Sequence, residues 1–243
     1  MKYRERVYKH YSSARVESLV PKTVEEFKPR EPFFNKIIKN NFPLDKNINI
    51  LELGCGHGIF QYFINKAGYK NSKGIDGSIQ QVEGAKKLGI KNIILGDMIA
   101  YIKVLDSSFL DMIIAIDIFE HFTKEEFTDL VDELHRILKK DGLIICHQPN
   151  SEGPFGNFMR DWDYTHELSF TRQSLAQIFL ASEFNSIKTF EDKPIIHGVK
   201  SFFRFVLWEY LIRNIFVAIR TIESGRCDKE AIFTQNFLAV IKK

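Results

Sequence analysis

Short apolar runs alternate with amphipathic stretches along the chain, and their order predicts its elements. The run 48–53 is short and β-branched, which favours a buried strand over a helix. It breaks at Gly54-Cys55-Gly56-His57-Gly58, and helical spacing follows at Ile59, Phe60, Phe63 and Ile64, closing at Ala67-Gly68-Tyr69. A second strand over 72–75 ends at Asp76-Gly77-Ser78, and the next helix carries Ile79, Val82, Ala85 and Leu88. The third strand, 92–95, ends at Gly96-Asp97-Met98. The fourth, 110–116, is apolar apart from Asp111, as for a strand buried on both faces, and ends at Asp117-Ile118-Phe119-Glu120-His121. From Thr123 an amphipathic helix turns Phe127, Leu130, Val131, Leu134, Ile137 and Leu138 to one side and stops at Lys139-Lys140-Asp141-Gly142. Strand five, 143–146, runs into His147-Gln148-Pro149-Asn150. A helix over 174–180, a sixth strand over 186–190, a long aromatic helix over 199–222 and a last strand from 231–234 through 237–240 complete the pattern.

Before the first strand, residues 1–44 read as a helical lead-in or cap, with 45–243 as the main domain. Thr23 and Glu26 have the capping-box spacing, and Pro29 and Pro32 separate this start from a helix carrying Phe33, Phe34, Ile37 and Ile38. A length of 243 residues suits one α/β domain with a decorated edge. The net charge of +3 is too small to mark a nucleic-acid binder. Cys55, Cys146 and Cys227 are odd in number and widely spaced, which fits reduced thiols in a cytoplasmic protein and no disulfide framework. The charged N-terminus has no secretory h-region, and no stretch approaches the 18 apolar residues of a membrane span.

Most of the strands end in a polar cluster. In an open parallel sheet ligands bind outside the carboxyl ends of the strands, so these clusters fall on one edge. Three alternating glycines at the first of them can take positive φ and bring bare backbone to a ligand. Asp76 follows Glu52 by 24 positions, the separation at which an acid meets the ribose hydroxyls of a nucleoside held over such a turn.

The string Glu52-Leu53-Gly54-Cys55-Gly56-His57-Gly58 resembles the E-x-G-x-G-x-G signature of class I S-adenosylmethionine-dependent methyltransferases. Gly-Ile-Asp-Gly-Ser, Gly-Asp-Met, Asp-Ile-Phe-Glu-His and Leu-Lys-Lys-Asp-Gly follow in that fold's order, over about residues 47–150. The resemblance implies a Rossmann-like sheet of seven mostly parallel strands, the last antiparallel, with helices on both faces and a helical insertion over 195–226. It also implies roles. Gly54, Cys55, Gly56 and Gly58 would approach the amino-acid end of the cofactor, with Glu52 anchoring the loop or the amino group. Asp76 and Gly77 would meet the ribose, Asp97 and Met98 the adenine, and Asp117 and Ile118 the floor near the sulfonium.

Residues 151–172 mix aromatics, acids and a histidine with little periodicity, as a functional loop does. The segment Asp163-Tyr164-Thr165-His166-Glu167-Leu168-Ser169-Phe170-Thr171 resembles a stretch of methyltransferases of bacterial surface-polysaccharide and sugar modification. That resemblance implies a small, sugar-related oxygen acceptor. His166 is the candidate base, oriented by Asp163 or Glu167, with His121, Asn150, Trp162 and Tyr164 as substrate-binding candidates. The alternatives are a carboxylate, phosphate or nitrogen acceptor, or a silent cofactor-binding partner subunit. No H-x-x-x-H or acidic pair stands out, so no metal is expected. The helix 199–222 would pack on the acceptor side or form a homodimer face, ahead of lying on a membrane surface.

Overall fold

A computed structural model describes Val7 and residues 21–243. The expectation for the lead-in before Pro21 otherwise lies outside the described residues. Val24–Arg30 forms a 3-10 helix, with the Thr23 N–H donating to Glu26 Oε1 at 3.2 Å. Helix α1 (Glu31–Asn41) starts beside Pro32, where a missing N–H costs nothing.

The sheet follows in the expected sequence. Strand β1 is Ile50–Leu53, α2 Ile59–Lys66, β2 Ser72–Asp76, α3 Ile79–Lys87, β3 Ile93–Leu95, α4 Met98–Lys103 and β4 Leu110–Ile116. A short 3-10 turn, Phe119–His121, precedes α5 (Lys124–Ile137), β5 (Leu138–Pro149), α6 (Gly156–Asp161), α7 (Arg172–Ala181) and β6 (Ser186–Glu191). Helices α8 (Val199–Leu207) and α9 (Arg213–Ser224) join through a π-helical turn, Trp208–Ile212, and β7 (Asn236–Lys242) closes the chain.

The seven strands lie in the order β3-β2-β1-β4-β5-β7-β6. The first five are parallel, and β7 runs antiparallel between β5 and β6. Alternate side chains feed two cores. Leu51, Leu53, Ile113, Ala115 and Ile144 meet α5 and α7, while Ile50, Met112, Ile114 and Ile145 meet α1, α2 and α3. Strand order reverses between β1 and β4, which opens the crevice at their carboxyl ends.

Two expectations need correction. Strand β5 begins at Leu138, directly after α5, and its register against β4 slips between Leu110 and Met112. Asp141, at φ 65°, makes the detour. It also runs on to Pro149, because β7 pairs with it that far. Residues 231–234 are a buried loop and not strand: Asn150 Nδ2 donates to the carbonyls of Ile232 and Thr234, and Glu191 Oε1 accepts from the Phe233 N–H. Side chains there take the place of a ladder. The stretch 199–222 is helical throughout, as expected, with large side chains on its outer side. Phe203, Tyr210, Leu211 and Ile222 stand exposed. Its inner side is tied down by the Arg213–Glu191, Lys193–Glu209 and Arg220–Glu152 ion pairs.

Candidate functional site

The glycine turn leaves β1 with Gly54, Gly56 and Gly58 at φ 62°, 55° and 80°. Left-handed backbone at three alternate positions is what the sequence pattern requires. Gly54 is needed twice over, since a Cβ there would lie 1.9 Å from Ile118 Cδ1. Above Gly56 the nearest atom to such a Cβ is Gln81 Oε1, at 3.8 Å, an ordinary contact, so that part of the turn is uncrowded. Cys55 is buried against Gly74 and contributes backbone; burial pushes its thiol well up.

Asp76, at the end of β2, holds the turn in place. Its Oδ2 accepts from the Gly56 N–H and its Oδ1 from the Ser78 N–H, both at 2.8 Å. Each oxygen keeps lone-pair capacity for a ligand hydroxyl. Burial raises this carboxyl, against the pull of those two N–H groups. Glu52 lies deeper, 3 % exposed, and accepts from Gln61 Nε2 at 2.9 Å. Gln61 in turn accepts from the Ser72 hydroxyl at 2.7 Å. Burial, with Asp76 adding like charge, raises Glu52 to about 8. At neutral pH it is therefore largely a neutral acid that ties β1 to α2.

Glu52, Gly54, Cys55, Gly56 and Asp117 line one cleft of about 200 Å³ with Arg30, Phe34, His57 and Gln81. Sequence reasoning missed those last four. His57 lies inside the glycine motif and Gln81 in the first turn of α3, three residues after the capping Ser78. Arg30, stacked over Phe33 and Phe34, has no local signal at all, because only the fold carries the lead-in over the sheet edge. Gly77 sits against the Gly96 carbonyl. Asp97 caps α4 by accepting from the Ala100 N–H at 2.9 Å, and Met98 begins that helix with its side chain against the core. A cavity of about 800 Å³ lies elsewhere, between α1 and the β6 edge.

At the end of β4 Asp117 takes φ 53° and meets His147 Nδ1 at 2.6 Å, while Asp192 stands 3.4 Å from Nε2. Burial alone would depress His147, but the two carboxylates outweigh it and raise the imidazole to about 10. Burial acts against Asp117 too, yet the His147 cation holds it below the usual carboxylate range. His147, which sequence reasoning left outside the site, is thus a cation beside the cleft.

Three residues after Asp117, Glu120 is buried, with His121 and His166 beside it; the two imidazole rings lie 4.9 Å apart. Burial and the nearby Asp117 charge raise Glu120 strongly, while burial and His166 depress His121 to about 4. Asp163 orients this group through Thr165, as its carboxylate accepts from the Thr165 hydroxyl at 2.7 Å. Two expected substrate residues do not converge here: Trp162 and Tyr164 are 61 % and 82 % exposed. Asn150 is a correction. It is 1 % exposed, and its amide bonds to the Ile232 and Thr234 carbonyls and the Glu152 N–H, so it latches the 231–234 loop from inside the fold.

A left-handed glycine turn lining the cleft, an oriented acid on β2 and a cation beside it suit S-adenosylmethionine, whose ribose hydroxyls and carboxylate need such partners. Comparisons with known proteins agree. The family described as "methyltransferase domain" matches residues 25–189. A ubiquinone biosynthesis O-methyltransferase of Pelagibacter ubique is 33 % identical over 112 residues, 45 % of each chain. A cyclopropane mycolic acid synthase 1 of Mycobacterium tuberculosis is 28 % identical over 111 residues, 43 % of this chain and 37 % of that one. The chain spans less than half the length of these relatives. Among solved structures, an Archaeoglobus fulgidus SAM-dependent methyltransferase aligns over 100 % of both chains with a TM-score of 0.65 at 20 % identity. A Haemonchus contortus phosphoethanolamine N-methyltransferase 2, in complex with S-adenosyl-L-methionine, aligns over 87 % of this chain and 52 % of its own, with a TM-score of 0.60 at 14 % identity. The chain belongs to the methyltransferase-domain family, and its cofactor is S-adenosylmethionine.

Proposed function

We propose that the chain transfers the methyl group of S-adenosylmethionine to an oxygen of a small, hydroxyl-bearing acceptor. One observation carries the reading: a nucleoside cleft and a pair of imidazoles beside a buried acid share the carboxyl edge of β4. The acceptor oxygen attacks the methyl carbon, the S–CH3 bond breaks, and its electron pair stays on sulfur as S-adenosylhomocysteine leaves. Positioning supplies much of the acceleration, because the sulfonium already activates the methyl carbon. A sugar-type hydroxyl is a weak nucleophile, so removing its proton adds a factor of ~10²–10⁴. His166 Nε2 takes that proton. Its Nδ1 lies 3.0 Å from the Met159 carbonyl, an acceptor, which fixes the ring with Nδ1 protonated and Nε2 bare.

A sugar-related acceptor is supported by the 163–171 segment, which supplies both His166 and the Thr165–Asp163 pair that orients His121. A phenolic hydroxyl is the natural second arm, given the O-methyltransferase among the relatives. The test is S-adenosylhomocysteine release with nucleotide-linked sugars, sugar phosphates and small phenols. Release with one hydroxyl acceptor, and a kcat loss of at least about tenfold in His166→Ala, is the expected result. Silence across all three classes, in protein that still binds S-adenosylhomocysteine, counts against it.

A further inference from the structure

We infer that Glu120, His121 and His166 together bind one divalent transition-metal ion, at the place where the proposed function puts the acceptor oxygen. The inference rests on that reading for its consequence, and on the geometry of three side chains for the site itself. One potential ligand atom from each lies within 4.8 Å of the others. Ligand bonds of about 2.1 Å ask for somewhat closer donors, which side-chain shifts of about an ångström provide.

Both imidazoles are set for the task by their outer nitrogens. His166 Nδ1 donates to the Met159 carbonyl, leaving Nε2 as a lone-pair donor directed towards Glu120. His121 Nδ1 lies 2.8 Å from Thr165 Oγ1. That hydroxyl has already given its hydrogen to Asp163 Oδ1, so it can only accept here, and His121 Nδ1 is the protonated nitrogen. Each ring thus makes the outer hydrogen bond that orients a metal-ligating histidine.

Glu120 supplies the second, independent observation. Its side chain is 2 % exposed, and Oε2 has no hydrogen-bond partner among the described residues. Oε1 stands 3.9 Å from His166 Nε2, too far for a hydrogen bond. A buried carboxyl and an imidazole nitrogen that face each other across such a gap leave room for a bridging cation. The frame around it is rigid, since the Glu120 carbonyl accepts from the Glu167 and Leu168 N–H groups at 2.8 and 2.9 Å. Sequence reading expected no metal because the ligands come from two segments separated by more than forty residues.

Two imidazoles and one carboxylate favour Zn²⁺, Fe²⁺, Co²⁺ or Mn²⁺ over Mg²⁺ or Ca²⁺, and they leave coordination positions open. With an ion in place His166 would serve as a ligand, and the ion would take over the proton-removing role given to His166 above. The ion would acidify an acceptor hydroxyl bound to it, whose proton would pass to water before the oxygen attacks the methyl carbon and the S–CH3 bond breaks.

The test is a Co²⁺ titration of tag-free, chelator-treated protein, read by visible absorption and calorimetry, repeated with Zn²⁺. One equivalent with ligand-field bands is expected. His166→Gln and Glu120→Gln should each weaken binding at least about tenfold while S-adenosylhomocysteine affinity and thermal melting stay near wild type. Wild-type protein that binds no Co²⁺ or Zn²⁺ overturns the inference whatever the variants do, as does binding unchanged in both. Should Glu120→Gln not fold, His121→Gln takes its place. Binding is read without an acceptor, so a silent acceptor panel leaves the ion site standing. Chelator-insensitive methyl transfer removes the ion's role and leaves the transfer intact.

Discussion

Replacing Glu52 by Gln should make the protein more stable at neutral and alkaline pH. The carboxyl titrates near 8 in the folded chain, against an ordinary value of 4.5. Between those values the folded state holds a proton that the unfolded chain has released, so stability falls as pH rises through the window. At 1.36 kcal/mol per unit the full difference is about 5 kcal/mol, of which roughly 3–4 kcal/mol develops between pH 5 and pH 8. Glutamine keeps the oxygen that accepts from Gln61 Nε2, with an amide standing where the acid O–H stood. Urea unfolding of both proteins at pH 5, 6, 7 and 8 is the assay. His147, raised to about 10, also makes stability fall above pH 6.5, but it does so in both proteins and cancels in the difference. The expected result is a difference that grows by a few kcal/mol in favour of the variant as pH rises. Parallel curves, or a variant less stable at pH 8, refute the assignment of Glu52 as a buried neutral acid.

Gly54→Ala adds a left-handed alanine, about 1–2 kcal/mol, to a collision with Ile118, and S-adenosylhomocysteine binding in calorimetry should be lost. The pair Gly54→Ala with Ile118→Ala relieves the collision alone and restores binding only in part. Asp76→Asn sets an amide hydrogen against the N–H of Gly56 or Ser78, so cofactor affinity should fall at least about tenfold, with about 1–3 kcal/mol of stability lost on thermal melting. Asn150→Ala removes three hydrogen bonds inside the fold, and should cost about 2–4 kcal/mol in urea unfolding while the cofactor Kd holds steady.

Local sequence determined the alternation of strands and helices, the left-handed glycine turn and the acid that closes β2. These are short-range matters. Strand periodicity, backbone freedom at Gly54, Gly56 and Gly58, and the offset from Glu52 to Asp76 are written within thirty residues, and the sheet only assembled them. The capping of α5 by Thr123 and Glu126 is equally local.

The tertiary structure decided everything that depends on which segments meet. Asn150 reads as a site residue at a strand end, yet burial beside the 231–234 loop makes it a latch. Residues 231–234 read as strand by their β-branched and aromatic content, but Asn150 and Glu191 satisfy their backbone from outside. Arg30 reaches the cleft only because α1 packs Phe34 and Ile37 beneath it. His147 acquires its charge from Asp117 and Asp192, which are 30 and 45 positions away. Glu120, His121 and His166 become one cluster because the 163–168 turn is pinned to the Glu120 carbonyl. Hydrophobic period and turn chemistry act over a few residues, whereas charge, desolvation and ligand geometry are properties of the neighbours that folding brings in.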